Sequence, residues 1–215
     1  MEIILKKIVY SLSFGIIGLK DYTKKLIKNL IKIDTEGFDS DKSLRTKNDF
    51  FKFSLMFKDV LFKIEILLFN KIKNFLNSNN NNNNNNNNLP HKLDTILLMI
   101  NVNKLKNIKK YKRKHIQKIN QLLPKKGTYV LIGVNQENTK ISDEIVEKLI
   151  ERSKKLNILY CFLLEDEEKD MKNIFRKLLE DYVFNFKYSK PELFELAKNY
   201  SKEIQKNQES FLLLE

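Results

Sequence analysis

DTILLMINVN (Asp94–Asn103) is the first of three apolar runs that decide the fold; the others are TYVLIGV (Thr128–Val134) and NILYCFLL (Asn157–Leu164). Each is short and rich in β-branched or aromatic residues, as strands are. Helical patterns alternate with them: a basic stretch, then ISDEIVEKLIERSKK (Ile141–Lys155), then EKDMKNIFRKLLEDY (Glu168–Tyr182). Strands that alternate with helices need crossover connections, so this half predicts a parallel sheet covered on both faces.

The first half of the chain adds further strands. The apolar part of Glu2–Leu19 is shorter than the ~20 residues that span a bilayer, so we expect a buried strand at Lys7–Phe14. GIIGLK then predicts a turn, and DYTKKLIKNLIKI (Asp21–Ile33) predicts a helix. Phe50–Phe57 and Leu61–Phe69 flank Lys58-Asp59 and predict a hairpin. The predicted fold class is α/β with three layers: a mostly parallel sheet, one antiparallel hairpin strand, and helices on both faces.

The length of 215 residues fits one domain with tails. We expect the domain at residues 1–186 and a C-terminal helix with a tail at 187–215. The helix is predicted at Pro191–Ile204, where Ser189 and Glu192 have the spacing of a capping box. The asparagine tract Asn79–Asn88 has no apolar surface to offset its ordering entropy, so it predicts a disordered insertion at 77–89.

Composition bounds the function. The net charge of +13 favours polyanionic partners, although a solvated lysine-rich surface explains it equally well. The single cysteine, Cys161, excludes a disulfide framework and favours a reducing, cytoplasmic compartment. Two histidines and one cysteine cannot form an ordinary zinc site, so we expect no metal ligands.

The segment Lys104–Lys118 contains eight basic residues and no acidic one. Tyr111, His115 and Ile119 recur at helical spacing and predict the buried face of a basic helix, with His115 at the edge of the core.

The element order resembles that of the Rab/Ras-like small GTPases: strand, turn, helix, loop, hairpin, then three helix–strand repeats. Phe51–Phe75 is similar to the Rab segment in which a hairpin precedes DTAGQERF. Asp94–Val134 and Ile141–Tyr182 are similar to the later units of the family. The resemblance covers roughly Lys7–Tyr182 and implies a P-loop NTPase fold of the small G-protein type. Because such folds host many functions, the chemical motifs must decide the activity.

The phosphate-loop motif G-x-x-x-x-G-K-[ST] is broken. Its glycines let the backbone approach phosphate, its lysine meets phosphate and its hydroxyl holds magnesium. With Gly15 in the first position, the last three positions hold Lys20, Asp21 and Tyr22. A shift of one residue that aligns Lys20 removes both glycines. The resemblance makes Gly15, Gly18 and Lys20 relict nucleotide positions; the alternative is a glycine turn after a strand.

The motifs for magnesium and for the base are also altered. The positions of DTAGQ hold Leu68, Phe69, Asn70, Lys71 and Ile72, so we expect neither a catalytic residue nor a metal ligand. The positions of NKxD hold Asn135 and, in place of the aspartate, Glu137. These two are the remaining relict guanine-nucleotide positions that the resemblance implies.

The resemblance and the broken motifs together imply a pseudo-GTPase: a degenerate Rab-like protein, impaired in GTP hydrolysis and nucleotide binding, that serves as a scaffold for effector or trafficking proteins. One alternative is a divergent small GTPase that still binds GTP or GDP with magnesium through Gly18, Lys20 and Glu137. Another is a basic module that binds nucleic acid or anionic lipid through Lys104–Lys118.

We expect no prenyl anchor, because no cysteine follows Cys161. The basic segment Lys104–Lys118 could replace it as a peripheral contact with an anionic membrane. Nucleic acid is the less favoured partner, because Tyr111 is the one aromatic residue within this segment.

Overall fold

The computed structural model describes residues 10–34, 45–47, 49–80, 93–103, 109, 111–120, 127–137 and 139–212. The strands are β1 (Tyr10–Ile17), β2 (Arg45–Lys47), β3 (Phe50–Phe57), β4 (Val60–Phe69), β5 (Thr95–Asn101), β6 (Thr128–Val134) and β7 (Tyr160–Leu164). The helices are α1 (Lys20–Asp34), α2 (Ile72–Asn80), α3 (Arg113–Asn120), α4 (Asp143–Leu156), α5 (Glu167–Ser189) and α6 (Pro191–Leu212).

The strands form one seven-stranded sheet in the order β2-β3-β4-β1-β5-β6-β7. β1 pairs in parallel with β4 and β5, and β6 pairs in parallel with β5 and β7. β3 is antiparallel to both of its neighbours, so it is the one described strand that runs against the others. This confirms the predicted α/β class and the mostly parallel sheet.

The hairpin of β3 and β4 follows the prediction closely. Lys58 and Asp59 form the turn with φ of 48° and 62°, the left-handed backbone that matches the twist of a two-residue hairpin. Lys52 and Glu65 are directly opposite each other and form an ion pair at 2.5 Å. The short edge strand β2 lies in a stretch that the sequence analysis did not assign to a strand.

Alternate residues of the central strands enter two separate cores, one on each face of the sheet. The first core joins the sheet to α1, α5 and α6, through residues such as Leu26, Phe175 and Phe194. The second joins it to α2, α3 and α4, through residues such as Phe75, Ile119 and Leu149. The three predicted layers are therefore present.

β1 and α3 depart from their predicted bounds. β1 continues past Phe14 to Ile17, because Gly15, Ile16 and Ile17 still pair with β4 and β5. Sheet pairing therefore overrides the turn preference of Gly15; residues 7–9 lie outside the described part. α3 begins at Arg113, whereas the basic segment predicted a helix from Lys104. Of residues 104–112, those at 109, 111 and 112 are described, and none is helical.

The C-terminal region also differs from the prediction. α5 runs from Glu167 to Ser189 without a break, and the expected division of the chain at residue 186 stays a prediction. The Ser189 hydroxyl donates to the carbonyl of Asn185 at 2.6 Å, so it does not form the predicted capping box. Ser189 bonds to the preceding turn and not to the next helix, because it is itself the last residue of α5. α2 includes residues 77–80 of the predicted insertion, and residues 81–89 lie outside the described part.

α6 is built into the first core. Phe194 and Ala197 are buried, and the ring of Phe194 contacts that of Phe186 with centroids 5.6 Å apart. The buried Ser201 hydroxyl accepts a hydrogen bond from the backbone N–H of Leu61 at 2.8 Å. α6 therefore covers the start of β4.

Ser201→Ala should lower the free energy of unfolding by about 1–3 kcal/mol, because the Leu61 N–H would be left buried without its partner. Urea denaturation followed by circular dichroism measures the change. Lys202→Ala is the control, since Lys202 is exposed one position along the same helix. Equal effects of the two substitutions would contradict the role assigned to this hydrogen bond.

Candidate functional site

The carboxyl ends of the parallel strands form the edge where doubly wound folds bind ligands, at the point where the strand order reverses. Here that point is at β1, because the chain leaves β1 for strands β2 to β4 on one side and then crosses from β4 to β5 on the other side. The segments that leave β1, β4, β5 and β6 therefore form the candidate site.

A very short turn follows β1. Only Gly18 and Leu19 separate the strand from α1. Gly18 has φ of +103°, and its N–H donates to the carbonyl of Phe69 at 2.8 Å. A Cβ at Gly18 would stand 2.5 Å from the Met99 carbonyl oxygen, so this position requires glycine. A phosphate cradle needs several successive backbone N–H groups around the ligand, which this turn is too short to supply.

The side chain of Tyr111 fills the crevice between the ends of β1 and β5. Its hydroxyl lies 2.8 Å from the carbonyl oxygen of Ile17 and 3.1 Å from that of Met99. Tyr111 is 1% exposed, and burial raises the pKa of its phenol, which therefore stays protonated as a donor. The Arg152 guanidinium donates to the backbone carbonyl of Tyr111 and holds the segment from α4.

Lys20 is the first residue of α1, and its ammonium group is already paired. Its Nζ lies 2.5 Å from a carboxylate oxygen of Asp49, and both side chains are about one-third exposed, at 31% and 38%. Asp21, next along the helix, is exposed. The two carboxylates make this helix start less favourable for phosphate than a helix N-terminus alone would be.

Three of the five positions aligned with DTAGQ carry apolar side chains: Leu68, Phe69 and Ile72. Leu68 is buried in the first core. The rings of Phe69 and Phe75 meet edge to face with centroids 5.1 Å apart. Among the described residues, no group of three or more His, Cys, Asp or Glu side chains could hold a metal ion.

A network of amides lies at the ends of β5 and β6. The buried Asn135 donates from Nδ2 to the carbonyl of Thr139 at 2.6 Å and accepts from Asn103 Nδ2 at 2.8 Å. The Gln136 side chain accepts from Asn101 Nδ2 at 2.6 Å, and its backbone N–H donates to Asn103 Oδ1 at 3.0 Å. These hydrogen bonds connect the loops that follow β5 and β6. The side chain of Asn135 therefore binds the Thr139 carbonyl and the Asn103 amide of the same chain.

The structure places the predicted relict residues in different surroundings. Gly18 and Lys20 lie at the closed turn, and Asn135 lies in the amide network. Glu137 is exposed beside that network. Gly15 lies inside β1, where a Cβ would stand 2.7 Å from the Leu93 side chain, so its role is packing.

Sequence reasoning missed three residues of this edge. The sequence patterns predict a helix face for Tyr111 and the end of a strand for Asn103, and they indicate no role for Asp49. Only Asn103 had a usable signal, because polar residues directly after a buried parallel strand reach this edge.

Comparison with models of known protein families finds no match to this chain, and comparison with curated proteins finds none either. In the described part of the chain, no helix combines the length and apolar character that crossing a membrane requires.

Tyr111→Phe should lower the free energy of unfolding by about 1 kcal/mol, because the carbonyl of Ile17 would lose a buried donor. Thermal and urea melts measure the change. Tyr188→Phe is the matched control, since the Tyr188 side chain is 69% exposed. A Tyr111→Phe protein as stable as the wild type would contradict the assigned contact.

Proposed function

We propose that this chain is a degenerate Rab-like small GTPase, impaired in nucleotide binding and in GTP hydrolysis, that acts as an interaction scaffold in membrane or vesicle trafficking. The resemblance in sequence rests on the order of the elements: a strand, a helix and a hairpin, followed by three further strand units. The reversal of β3 alone, and the position of β1 between β4 and β5, are consistent with a P-loop-like fold.

The observation that carries the proposed loss of activity is the closed turn after β1. Gly18 donates its N–H to Phe69, and the Tyr111 hydroxyl occupies the space beside Ile17 and Met99. Backbone N–H groups and room for a diphosphate are what a phosphate loop supplies. In the described turn, the Gly18 N–H is bonded to Phe69 and the crevice is filled by the Tyr111 side chain.

The chemistry of phosphoryl transfer also lacks its groups at the aligned positions. Catalysis depends on a bound magnesium ion that neutralises charge and on a residue that orients the attacking water. Leu68 and Ile72 hold those positions and can do neither. The Lys20 ammonium, which would meet phosphate, is paired with Asp49. Retention of the packed sheet without these groups supports a scaffold role.

Isothermal titration with GDP and with GTP, each with and without magnesium, should give no saturable binding in the micromolar range. The divergent-GTPase alternative predicts micromolar binding that Lys20→Ala and Glu137→Ala weaken. Micromolar binding with that sensitivity would overturn the proposed loss of nucleotide binding. The same titration with ATP controls for non-specific attraction of nucleotides to a basic protein.

The basic segment Lys104–Lys118 supports an anionic membrane surface as a partner. Its described basic residues are all exposed: Lys109, Lys112, Arg113, Lys114 and Lys118. Burial and the neighbouring Lys114, Lys112 and Lys118 lower the pKa of His115, so the positive charge of the segment comes from its lysine and arginine side chains. Each lysine near anionic lipid contributes about 1 kcal/mol. Tyr111, the one aromatic residue of the segment, is buried and cannot stack on a base, which favours lipid over nucleic acid.

The triple variant Lys112→Glu, Lys114→Glu, Lys118→Glu should reduce sedimentation with phosphatidylserine vesicles at least tenfold, by the lysine contribution above. A control variant changes the same net charge elsewhere: Lys187→Glu, Lys190→Glu, Lys202→Glu. Equal sedimentation of both variants, or of wild type with neutral and anionic vesicles, would rule out this surface. A filter-binding assay with RNA across salt concentrations tests the nucleic-acid alternative.

A further inference from the structure

β7 is the last strand of the sheet, and its own sequence, within the described part of the chain, carries none of the usual protection of an edge. Edge strands are normally shielded by charges, prolines, bulges or extreme shortness, because their free backbone groups can pair with another chain. β2, at the opposite edge, has three residues, of which Arg45 and Lys47 are basic. β7 reads YCFLL and contains no charge and no proline.

The backbone groups that face outward from β7 can be assigned. The carbonyl of Leu164 accepts from the N–H of Asn135 at 3.3 Å, so Leu164 points its backbone groups toward β6. The direction alternates along a strand, so Phe162 and Tyr160 also face β6. Cys161 and Leu163 therefore direct their N–H and C=O groups to the outer edge.

Exposed apolar side chains continue this edge beyond the strand. Leu159, directly before β7, is 93% exposed. The Tyr160 hydroxyl donates to Asp181 of α5 at 2.5 Å, which places this stripe of α5 beside the strand. Phe184 and Tyr188 follow Asp181 at helical spacing on the same stripe. They are 60% and 69% exposed, and their rings contact each other with centroids 4.4 Å apart.

We propose that the outer edge of β7 binds a second copy of this chain, strand to strand and antiparallel, about a twofold axis at Phe162. In this register Cys161 of one copy pairs with Leu163 of the other, and both residues present outward backbone groups. Phe162 stands opposite Phe162 of the second copy, an aromatic cross-strand pair of the kind that stabilises sheets. The sheets of the two copies become continuous.

Charge complementarity selects this occupant and its direction. Lys154 and Lys155 form the basic last turn of α4, just before the strand; both are exposed, and Lys155 also forms an ion pair with Glu151. Glu165 and Asp166 follow the strand and are also exposed. An antiparallel twofold brings the basic end of each copy beside the acidic end of the other, whereas a parallel arrangement opposes like charges.

The area of the patch fits a specific dimer only when the α5 stripe takes part. Pairing of the five-residue strand alone falls short of the roughly 1,000 Å² that a specific interface buries. Phe184 and Tyr188 each add on the order of 100 Å² per copy, given their exposure and the size of aromatic side chains. Leu159 lies opposite Glu165 of the second copy in this register.

The test uses the full chain and substitutions at Leu159, which its exposure makes safe for folding. Sedimentation velocity of the wild type over about a hundredfold range of concentration should show a monomer–dimer equilibrium. Leu159→Lys places a cation opposite Glu165 of the second copy, and Leu159→Glu places an anion there. Because the contact occurs twice, the dimer Kd of the lysine variant should be about tenfold below that of the glutamate variant.

Two controls make the result specific to this edge. Leu193→Lys and Leu193→Glu change an exposed residue of α6 in the same way and should leave the dimer Kd unchanged. Glu165→Lys added to Leu159→Glu should restore dimerisation. A wild type that stays monomeric throughout, assembles without limit, or gives equal Kd values for the two Leu159 variants would overturn the proposal.

Discussion

Strand β1 has neighbours on both sides and cores on both faces, and every residue from Leu12 to Ile17 is buried. Such a strand keeps its backbone groups satisfied only while β4 and β5 pair with it, and keeps its side chains dry only while helices cover both faces. The chain therefore arranges α1 and α5 on one face and α2 to α4 on the other around this strand. The apolar contacts of β1 are distributed over many residues, so the arrangement tolerates conservative substitution.

The carboxyl edge of the same sheet follows a different rule. Binding a phosphate or a metal ion depends on a few groups in fixed geometry. Replacing one phosphate-binding lysine by aspartate changes attraction of the phosphate into repulsion. At this edge the hydroxyl of Tyr111 contacts two strand carbonyls, Lys20 pairs with Asp49, and Asn135 bonds to neighbouring loops. These three polar groups have partners inside the protein. These contacts therefore contribute to stability, and the surfaces that we propose for partners are the exposed basic segment and the edge of β7.

Local pattern predicted an element well wherever the local preference and the tertiary contacts agree. The turn at Lys58 and Asp59 lies between two apolar runs, and β6 is bounded by Gly127 and Asn135, so both were located to within a residue. Prediction failed where long-range pairing overrides a local signal. Gly15 suggests a turn but continues a paired strand, and Ser189 has capping-box spacing but lies within a helix. Tyr111 fits a helical stripe, yet its hydroxyl bonds to strands distant in sequence.

The sequence alone determined the α/β class, the central strands with the helices that alternate with them, and the residues that stand at each position, because periodicity and residue identity are local properties. Only the tertiary structure decided that the Tyr111 side chain fills the crevice beside β1. Its hydroxyl reaches the carbonyls of Ile17 and Met99 only after the sheet has formed. The tertiary structure also decided that α6 belongs to the core, where the Ser201 hydroxyl accepts a hydrogen bond from the Leu61 N–H. It decided too that β7 is an edge strand, since strand order depends on pairing between segments far apart in the chain.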